Sequence, residues 1–320
     1  MENKGYRFDF YKNRKIYFGI SIALMVIGVV CNLIFGVKVD IQFSGGAMVQ
    51  YAVSGGTVKE SDVAETVETT LGRSAAVTLN QGLMEGQEDR LTIAFSGNQA
   101  ITPEDQGSLT DALGAQYEGV DFTLEEINSV DPTMGQSFFL KCMVCLLLTV
   151  LLLLLYIGFR FRKIGGFSAG LTAVAALVHD VAIIYFAFVI LRIPLNDNFI
   201  AAVLTILGYS LNDTIVIYDR IRENRRKEGK KLSYGENINI SLNQTLKRSI
   251  LTSVTTLLAL AVVGVVGLLN GMVSVTTFAF PMMAGIISGC YSSICISTPL
   301  YAVWMTRREE KKAAAAVAKK

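Results

Sequence analysis

The chain has 320 residues, of which 52% are apolar and 18% charged, and its formal net charge at pH 7 is +2. The charged residues fall in blocks that are separated by long uncharged stretches, which excludes a wholly soluble globular protein. This profile is typical of a polytopic membrane protein that carries one soluble insert.

Six stretches are long enough to cross a hydrocarbon core, which takes about 20 apolar residues. The predicted spans cover residues 16–35, 138–159, 167–191, 199–218, 249–269 and 275–304. The first span follows a basic segment, as a signal peptide does, but it is too long and no small-residue cleavage motif follows it, so we interpret it as an uncleaved anchor. The predicted division is a cytoplasmic N-terminus (1–15), a first transmembrane helix (16–36), an extracytoplasmic domain (37–136), a five-helix transmembrane bundle (137–304) and a cytoplasmic tail (305–320).

The positions of lysine and arginine predict the orientation, because short loops rich in these residues stay cytoplasmic. Basic blocks lie before the first span and after the second, fourth and sixth, which places both termini in the cytoplasm. The insert 37–136 has four lysines and arginines against 16 aspartates and glutamates, a net charge of −12, and belongs outside. Anionic lipid headgroups are the natural neighbours of the basic blocks, and no nucleic-acid partner is predicted.

The insert switches between alternating and helical periodicity in a regular order. Strands are predicted at 39–53, 75–83, 90–95 and 120–127, and helices at 59–71 and 103–117. The β-α-β-β-α-β order predicts an α+β, ferredoxin-like domain, with Gly86 in the turn of the central hairpin. Because it has about 90 residues, such a domain can bury its own core and move as a unit.

The chain has no sequence motif of a soluble active site. It lacks a Gly-rich phosphate loop, HExxH, GxSxG and any paired His/Cys ligand set, so we predict no cofactor, no metal site and no enzymatic activity. All five cysteines lie in predicted spans, which leaves the insert without a disulfide framework.

Asp213 lies within the fourth span, where an ionised side chain costs roughly 2.5–3.5 kcal/mol on insertion scales. The carboxylate is flanked by Tyr209, Ser210 and Asn212. One interpretation is a carboxylate that a neighbouring helix neutralises and that only fixes packing. The other is a group that takes up and releases a proton as a nearby cation moves.

Arg248 is the candidate cation, at the start of the fifth span. Thr252, Thr255 and Thr256 follow it at offsets of four, seven and eight, which predicts one polar stripe along that helix. The alternative is an end-of-span arginine that reaches the lipid headgroups.

His179 and Asp180 lie midway along the third span. Adjacent helical residues are about 100° apart, so we expect the two side chains to point apart and each to bond another helix in a structural role. Gly285 and Gly289 in the sixth span are spaced for close helix contact. The segment 232–247 has apolar residues at spacings of four, which fits a helix lying on the membrane surface or a plain connector.

Four runs carry a resemblance to a known family: VDIQFSGG (39–46), ALVHDVAI (176–183), GYSLNDTIVIYDRIREN (208–224) and NISLNQTLKRSILTSVTTLLAL (239–260). Together they resemble the SecD/SecF family of the bacterial Sec export machinery, which belongs to the resistance-nodulation-division (RND) superfamily. The match runs in order over nearly the whole chain. It implies an RND-like half of a pseudo-symmetric permease in the bacterial cytoplasmic (inner) membrane.

In that family the carboxylate of the NDT motif and the arginine of the QTxxR motif are implicated in proton passage, and they match Asp213 and Arg248. Many relatives have threonine after the arginine, and Ser249 here keeps the hydroxyl. The resemblance implies that the protein enhances protein export by coupling inward proton flow to movement of the extracytoplasmic domain. Its implied partners are a SecD-like subunit in a heterodimer, the Sec channel with its ATPase motor, and unfolded precursor polypeptide.

Three alternatives remain open. A small-molecule or lipid exporter half of the same superfamily would need a deep apolar pocket in the extracytoplasmic domain. An intramembrane aspartyl protease would need Asp180 and Asp213 to share a proton at a few ångströms. A purely scaffolding subunit would tolerate replacement of both Asp213 and Arg248.

Overall fold

The structure is a computed structural model that describes residues 6–80, 88–96, 101–117, 119–229 and 231–317. Within these residues, six helices are long and apolar enough to cross a membrane, which confirms the six predicted spans. They cover Arg14–Phe35, Thr133–Arg160, Gly166–Ile190, Asp197–Glu228, Tyr234–Leu269 and Val273–Lys312. The chain is therefore a polytopic α-helical membrane protein.

The elements follow the chain as six long helical segments with a small α/β insert after the first. Helices are α1 (Arg14–Phe35), α2 (Ile41–Ser44), α3 (Glu60–Leu71), α4 (Pro103–Gln116), α5 (Pro132–Arg160), α6 (Gly166–Ile190), α7 (Asp197–Glu228), α8 (Tyr234–Leu269), α9 (Val273–Ser292) and α10 (Thr298–Val317). Strands are β1 (Gly46–Ser54), β2 (Ala75–Asn80), β3 (Asp89–Ser96) and β4 (Asp121–Val130).

The fourth and fifth spans extend further than hydropathy predicts. Helix α7 continues to Glu228, where Glu223 pairs with Arg220 and with Lys227 one helical turn away on either side. Helix α8 begins at Tyr234 because the Ser233 hydroxyl accepts the N–H of Glu236 in a capping box.

Of the two interpretations of 232–247, the structure supports the connector into the fifth span, because residues 234–247 are the continuous first part of α8 and not a separate helix on the membrane surface. Part of the polar side of this segment is buried. Asn237 is 0% and Asn239 3% exposed. The side chains of Asn239 and Asn243 bond the backbone of residues 7–11, which ties the segment before α1 to α8.

Helix α9 lies at the centre of the bundle and contacts α6, α7 and α8. The predicted close contact at the paired glycines is present, because a Cβ on Gly289 would lie 3.0 Å from the Cβ of Ser210 on α7. A π turn over Ser293–Ser297 joins α9 to α10, so that two successive serines, Ser292 and Ser293, are both fully buried.

The insert folds into one antiparallel sheet with strand order β2-β3-β1-β4, and α3 and α4 pack against it. We call residues 37–131 the sheet domain. The core lies on one face, since alternate residues of paired strands, such as Tyr51 opposite Leu91, are fully buried. Gly86, the predicted hairpin turn, lies outside the described residues.

The first strand is shorter than the predicted 39–53. Residues 41–44 form the short helix α2 instead, because the Asp40 side chain accepts the N–H of Gln42 and caps it. Gly45 and Gly46 then take positive φ angles of 72° and 138°, and a Cβ on Gly46 would lie 2.0 Å from the Phe95 carbonyl oxygen. Only glycine fits the point where the chain turns from helix to strand.

Helix α2 and one arginine hold the sheet domain on the bundle. Phe43 of α2 packs against Phe138 and Phe139 of α5, with ring centroids 5.7 and 5.5 Å apart. Arg90 of β3 donates to the carbonyl of Gly271, in the turn between α8 and α9, at 3.1 Å. The end of the bundle opposite these contacts is called the far end below.

Asp40, the residue that caps α2, has a raised pKa. Burial raises the pKa of Asp40 above its ordinary value of 3.8, and the negative charge of Asp197 adds to the shift, while the hydrogen bond from Gln42 opposes it.

Candidate functional site

The Asp213 carboxylate, in the middle of α7, is half-buried and only partly compensated. Its Oδ1 accepts a hydrogen bond from the Ser249 hydroxyl of α8 at 2.7 Å. Its Oδ2 is buried and has no hydrogen-bond partner in the described part of the chain. An unpaired carboxylate oxygen away from water is costly, so Oδ2 is the atom at which a proton would relieve the penalty.

Arg248 precedes Ser249 on α8, but its side chain is exposed and makes no ion pair with Asp213 among the described residues. Arg248 is the chain neighbour of Ser249, which donates to the carboxylate, so the guanidinium is placed near Asp213 without contacting it. The structure thus brings the two predicted residues near one another, with Ser249 as the direct contact. Sequence reasoning kept Ser249 only as a substitute for threonine.

The predicted threonine stripe on α8 does not face Asp213. The hydroxyls of Thr252, Thr255 and Thr256 donate to carbonyls of their own helix, and Thr252 and Thr255 are exposed. The side that faces α7 carries Ser249 and Ser253, which are 1% and 5% exposed.

A second stripe, missed from the sequence, therefore runs along α8 at every fourth position. Its members are small hydroxyl residues, all buried: Ser241, Thr245, Ser249 and Ser253. Their constant spacing was the signal that could have revealed it.

The residues flanking Asp213 divide between two faces of α7. Tyr209 donates to Ser253 at 3.2 Å and so joins α7 to α8. Ser210 points to the other side, toward α6. Asn212 is exposed and makes no hydrogen bond among the described residues.

Asp180 is fully buried where α6, α7 and α9 meet. Its Oδ2 accepts from Ser210 and Ser292 at 2.7 Å each, and its Oδ1 accepts from Ser288 at 2.6 Å. The expected bonding of this carboxylate to other helices is found, through three serine hydroxyls. Ser288 and Ser292 were not singled out from the sequence.

The expectation that His179 and Asp180 point apart is wrong. The His179 Nδ1 lies 3.3 Å from Asp180 Oδ1 and 3.3 Å from the Ser288 hydroxyl, because the imidazole is long enough to reach across one residue step. Asp180 and Asp213 bind separate sets of hydroxyls, which argues against a shared-proton protease pair.

Below Asp180, hydroxyls pair along α7 at one-turn intervals toward the far end. Thr214 and Ser293 lie 2.8 Å apart, and Tyr218 lies 2.8 Å from both Ser297 and Thr172. These groups are buried and satisfy one another, so the column is a stable polar seam between α6, α7 and the π turn.

A cavity of about 860 Å³ opens at the far end, between the turn after α5 and the helices α7 and α8. Val216, about one turn beyond Asp213, and Arg248 both line it. The cavity therefore begins about one helical turn from Asp213, which does not itself line it. Among the described residues, no group of three or more His, Cys, Asp or Glu is placed to hold a metal ion.

Comparison with known proteins places this architecture in one family. Residues 110–307 match the family described as "Protein export membrane protein SecD/SecF, C-terminal". The protein translocase subunit SecF of Rickettsia typhi is 34% identical over 95% of this chain and 94% of its own length, and that of Petrotoga mobilis is 32% identical over 95% and 97%. Protein translocase subunit SecDF of Brucella abortus is 32% identical over 96% of this chain but only 38% of its own length.

Two solved SecDF structures are also similar. The crystal structure of SecDF from Thermus thermophilus, described as a translocon-associated membrane protein, matches with a TM-score of 0.78 and 28% identity over 96% of this chain. A SecDF structure in a super-membrane-facing form matches with a TM-score of 0.66 and 29% identity over 97%. The chain spans 40% of the length of each of these two proteins. The chain therefore belongs to the SecD/SecF family of protein export membrane proteins.

Proposed function

We propose that this protein is a SecF-like subunit of the Sec translocase that assists export of unfolded precursor polypeptides, without enzymatic chemistry of its own. In this proposal inward proton flow through Asp213 moves the sheet domain, which is a ferredoxin-like domain outside the cytoplasmic membrane. The observation that carries the proposal is the Asp213 carboxylate, with one oxygen held by Ser249 and the other buried without a partner, close to the far-end cavity.

The proton driving force is large enough for this role. Each charge that crosses 100 mV gains roughly 2.3 kcal/mol, which can bias a two-state orientation by about fiftyfold. Protonation of Asp213 removes a negative charge that attracts Arg248 and accepts from Ser249. Because both partners lie on α8, the change acts directly on the packing of α7 against α8.

Helix α8 supplies a mechanical link to the sheet domain. It runs unbroken from Ser249 to Leu269, and Gly271 two residues later accepts the hydrogen bond from Arg90. A helix of this length transmits a displacement over about 30 Å. One of the two similar SecDF structures is described as a super-membrane-facing form.

A SecD-like polypeptide is the partner that this proposal requires. Relatives named SecDF contain both halves in one chain, whereas this chain matches only part of their length. The apolar windows of α1 and α5 are only 11% buried, which leaves surfaces for lipid and for a second bundle. The Sec channel and its ATPase motor are the further partners, and the excess of lysine and arginine at the far end supports cytoplasmic termini.

The test is export of a precursor in cells, and in inverted membrane vesicles with and without a proton gradient. Asp213→Asn should slow export and remove its dependence on the gradient. Glu228→Gln is the control, because it removes a carboxylate charge from the same helix about 22 Å away, at an exposed position with no ion pair in the described part of the chain. Export by Asp213→Asn at the normal rate, with normal dependence on the gradient, would defeat the proposal. Normal export after replacement of both Asp213 and Arg248 would favour a scaffolding subunit.

A further inference from the structure

The far-end cavity holds a large excess of positive charge. Its wall contains two carboxylates, Asp219 and Glu223, and six cationic side chains: Lys163, Arg220, Arg222, Arg225, Arg226 and Arg248. The cations come from three separate elements, the turn after α5, the end of α7 and the first half of α8. They meet around one concavity, where low-dielectric walls strengthen the field that they produce.

The two carboxylates in the wall are already shared. Asp219 pairs with Arg222 at 2.8 Å, and Glu223 pairs with Arg220 at 2.6 Å. Each carboxylate also pairs with a second cation that does not line the cavity, at 3.0 and 2.6 Å. Asp219 and Glu223 therefore do not neutralise the remaining cations of the wall.

Three cations around the cavity remain uncompensated. Arg225 is engaged by Glu309 at 3.2 Å, but Lys163, Arg226 and Arg248 form no ion pair in the described part of the chain. All three of these side chains are exposed. Lysines and arginines that only set the membrane orientation need to lie in the same loop but need not line a common cavity. These three come from different elements and line one cavity.

We propose that this cavity binds the phosphate group of an anion. Arginine guanidinium groups and a lysine ammonium group are the side chains that recognise phosphate oxygens best. Basic pockets at the cytoplasmic end of transmembrane helices suit acidic lipid headgroups, and soluble phosphate offers the same chemistry. The apolar Ile164 and Val216 in the wall could accommodate the start of a lipid tail. This inference does not rest on the proposed proton passage through Asp213.

The test uses the full chain in nanodiscs of phosphatidylcholine that contain a small fraction of fluorescent phosphatidylglycerol. Lys163→Gln with Arg226→Gln removes two of the unpaired cations and should weaken retention of the labelled lipid by roughly thirtyfold. Arg162→Gln with Lys231→Gln is the matched control, because both residues are exposed, form no ion pair in the described part of the chain and do not line the cavity. The control should retain the lipid as the parent protein does.

A second arm separates the two sources of phosphate. Inorganic phosphate is titrated at constant ionic strength against the bound lipid. Retention of the lipid in millimolar phosphate assigns the site to a lipid headgroup, and displacement that is lost in the Lys163/Arg226 variant assigns it to soluble phosphate. Equal lipid retention by the parent and by the Lys163/Arg226 variant, or equal loss in both double variants, overturns the proposal.

Discussion

Replacement of Ser210 by alanine removes one hydroxyl from the centre of the bundle and little else. Ser210 is fully buried, its hydroxyl donates to Asp180 at 2.7 Å, and its Cβ already packs against Gly289, so that alanine keeps the shape. A hydrogen bond to a charged group contributes about 1.5–3 kcal/mol. Since the same oxygen of Asp180 keeps its bond from Ser292, we expect a loss near the lower limit, about 1.5 kcal/mol. Ser292→Ala should cost a similar amount for the same reason.

The double variant Ser210→Ala with Ser292→Ala gives a stricter test, because it leaves Oδ2 of the buried Asp180 carboxylate without a hydrogen-bond donor. The loss should exceed the sum of the single losses by about 1–2 kcal/mol. Unfolding of the purified protein in mixed micelles can be followed by the fluorescence of Trp304, the single tryptophan. Thr205→Val is the control, since this exposed hydroxyl donates only to Ala201 of its own helix, and should change stability by less than about 0.5 kcal/mol. Single variants no less stable than the control, or strictly additive losses, would refute the view of Asp180 as a carboxylate held by serine donors.

Gly46→Ala should destabilise the sheet domain by at least about 2 kcal/mol, since φ is 138° and the added Cβ would meet a carbonyl oxygen of β3. Limited proteolysis of the domain measures this loss, and a variant as resistant to the protease as the parent protein would contradict the prediction. Burial raises the pKa of Asp40, so the stability that its protonated carboxyl contributes is complete below pH 3.8 and is lost as pH rises through the pKa of the folded state. Asp40→Asn should therefore flatten the fall in the free energy of unfolding above pH 3.8, which unfolding across pH measures. An unchanged pH profile would exclude Asp40 as the source of this fall. Arg90→Gln should broaden the distance distribution between spin labels on the sheet domain and beside Gly271, because it removes the hydrogen bond to the Gly271 carbonyl. Glu125→Gln removes only the ion pair of Arg90 and should leave the distribution narrow. Equal distributions for both variants would exclude a role for Arg90 in holding the sheet domain on the bundle.

The number of membrane spans could be predicted from the sequence because length and hydropathy alone decide whether a helix can cross a bilayer. The ends of the fourth and fifth spans could not, since they depend on caps and ion pairs in charged segments that hydropathy scores as loops. Ser233 with Glu236 extends α8, and Glu223 stabilises the end of α7. Similarly, Asp40 and the two glycines after α2 convert the start of a predicted strand into a helix.

At the candidate site, Asp213 was visible because a charge in an apolar stretch is rare. The serines around it were not, because a single serine in a membrane helix is unremarkable and only its spacing and burial show its role. Ser249 and Ser253 belong to a stripe that repeats every four residues. The contact between His179 and Asp180 was missed because an argument from helical phase neglects the reach of a long side chain.

The π turn at Ser293–Ser297 amounts to one extra residue wound into the sixth span. It lets the Ser292 hydroxyl donate to Asp180 on α6 while the Ser293 hydroxyl is hydrogen-bonded to that of Thr214 on α7. In a regular α-helix, the loss of one residue rotates everything after it by about 100°. Loss of one residue within the π turn should instead convert it to an ordinary α-helical turn and leave the following helix nearly in phase, so that Tyr301 keeps its hydrogen bond to the Ile164 carbonyl. Single-residue deletions in the sixth span should therefore be tolerated better at Ser293–Ser297 than in the regular helix on either side.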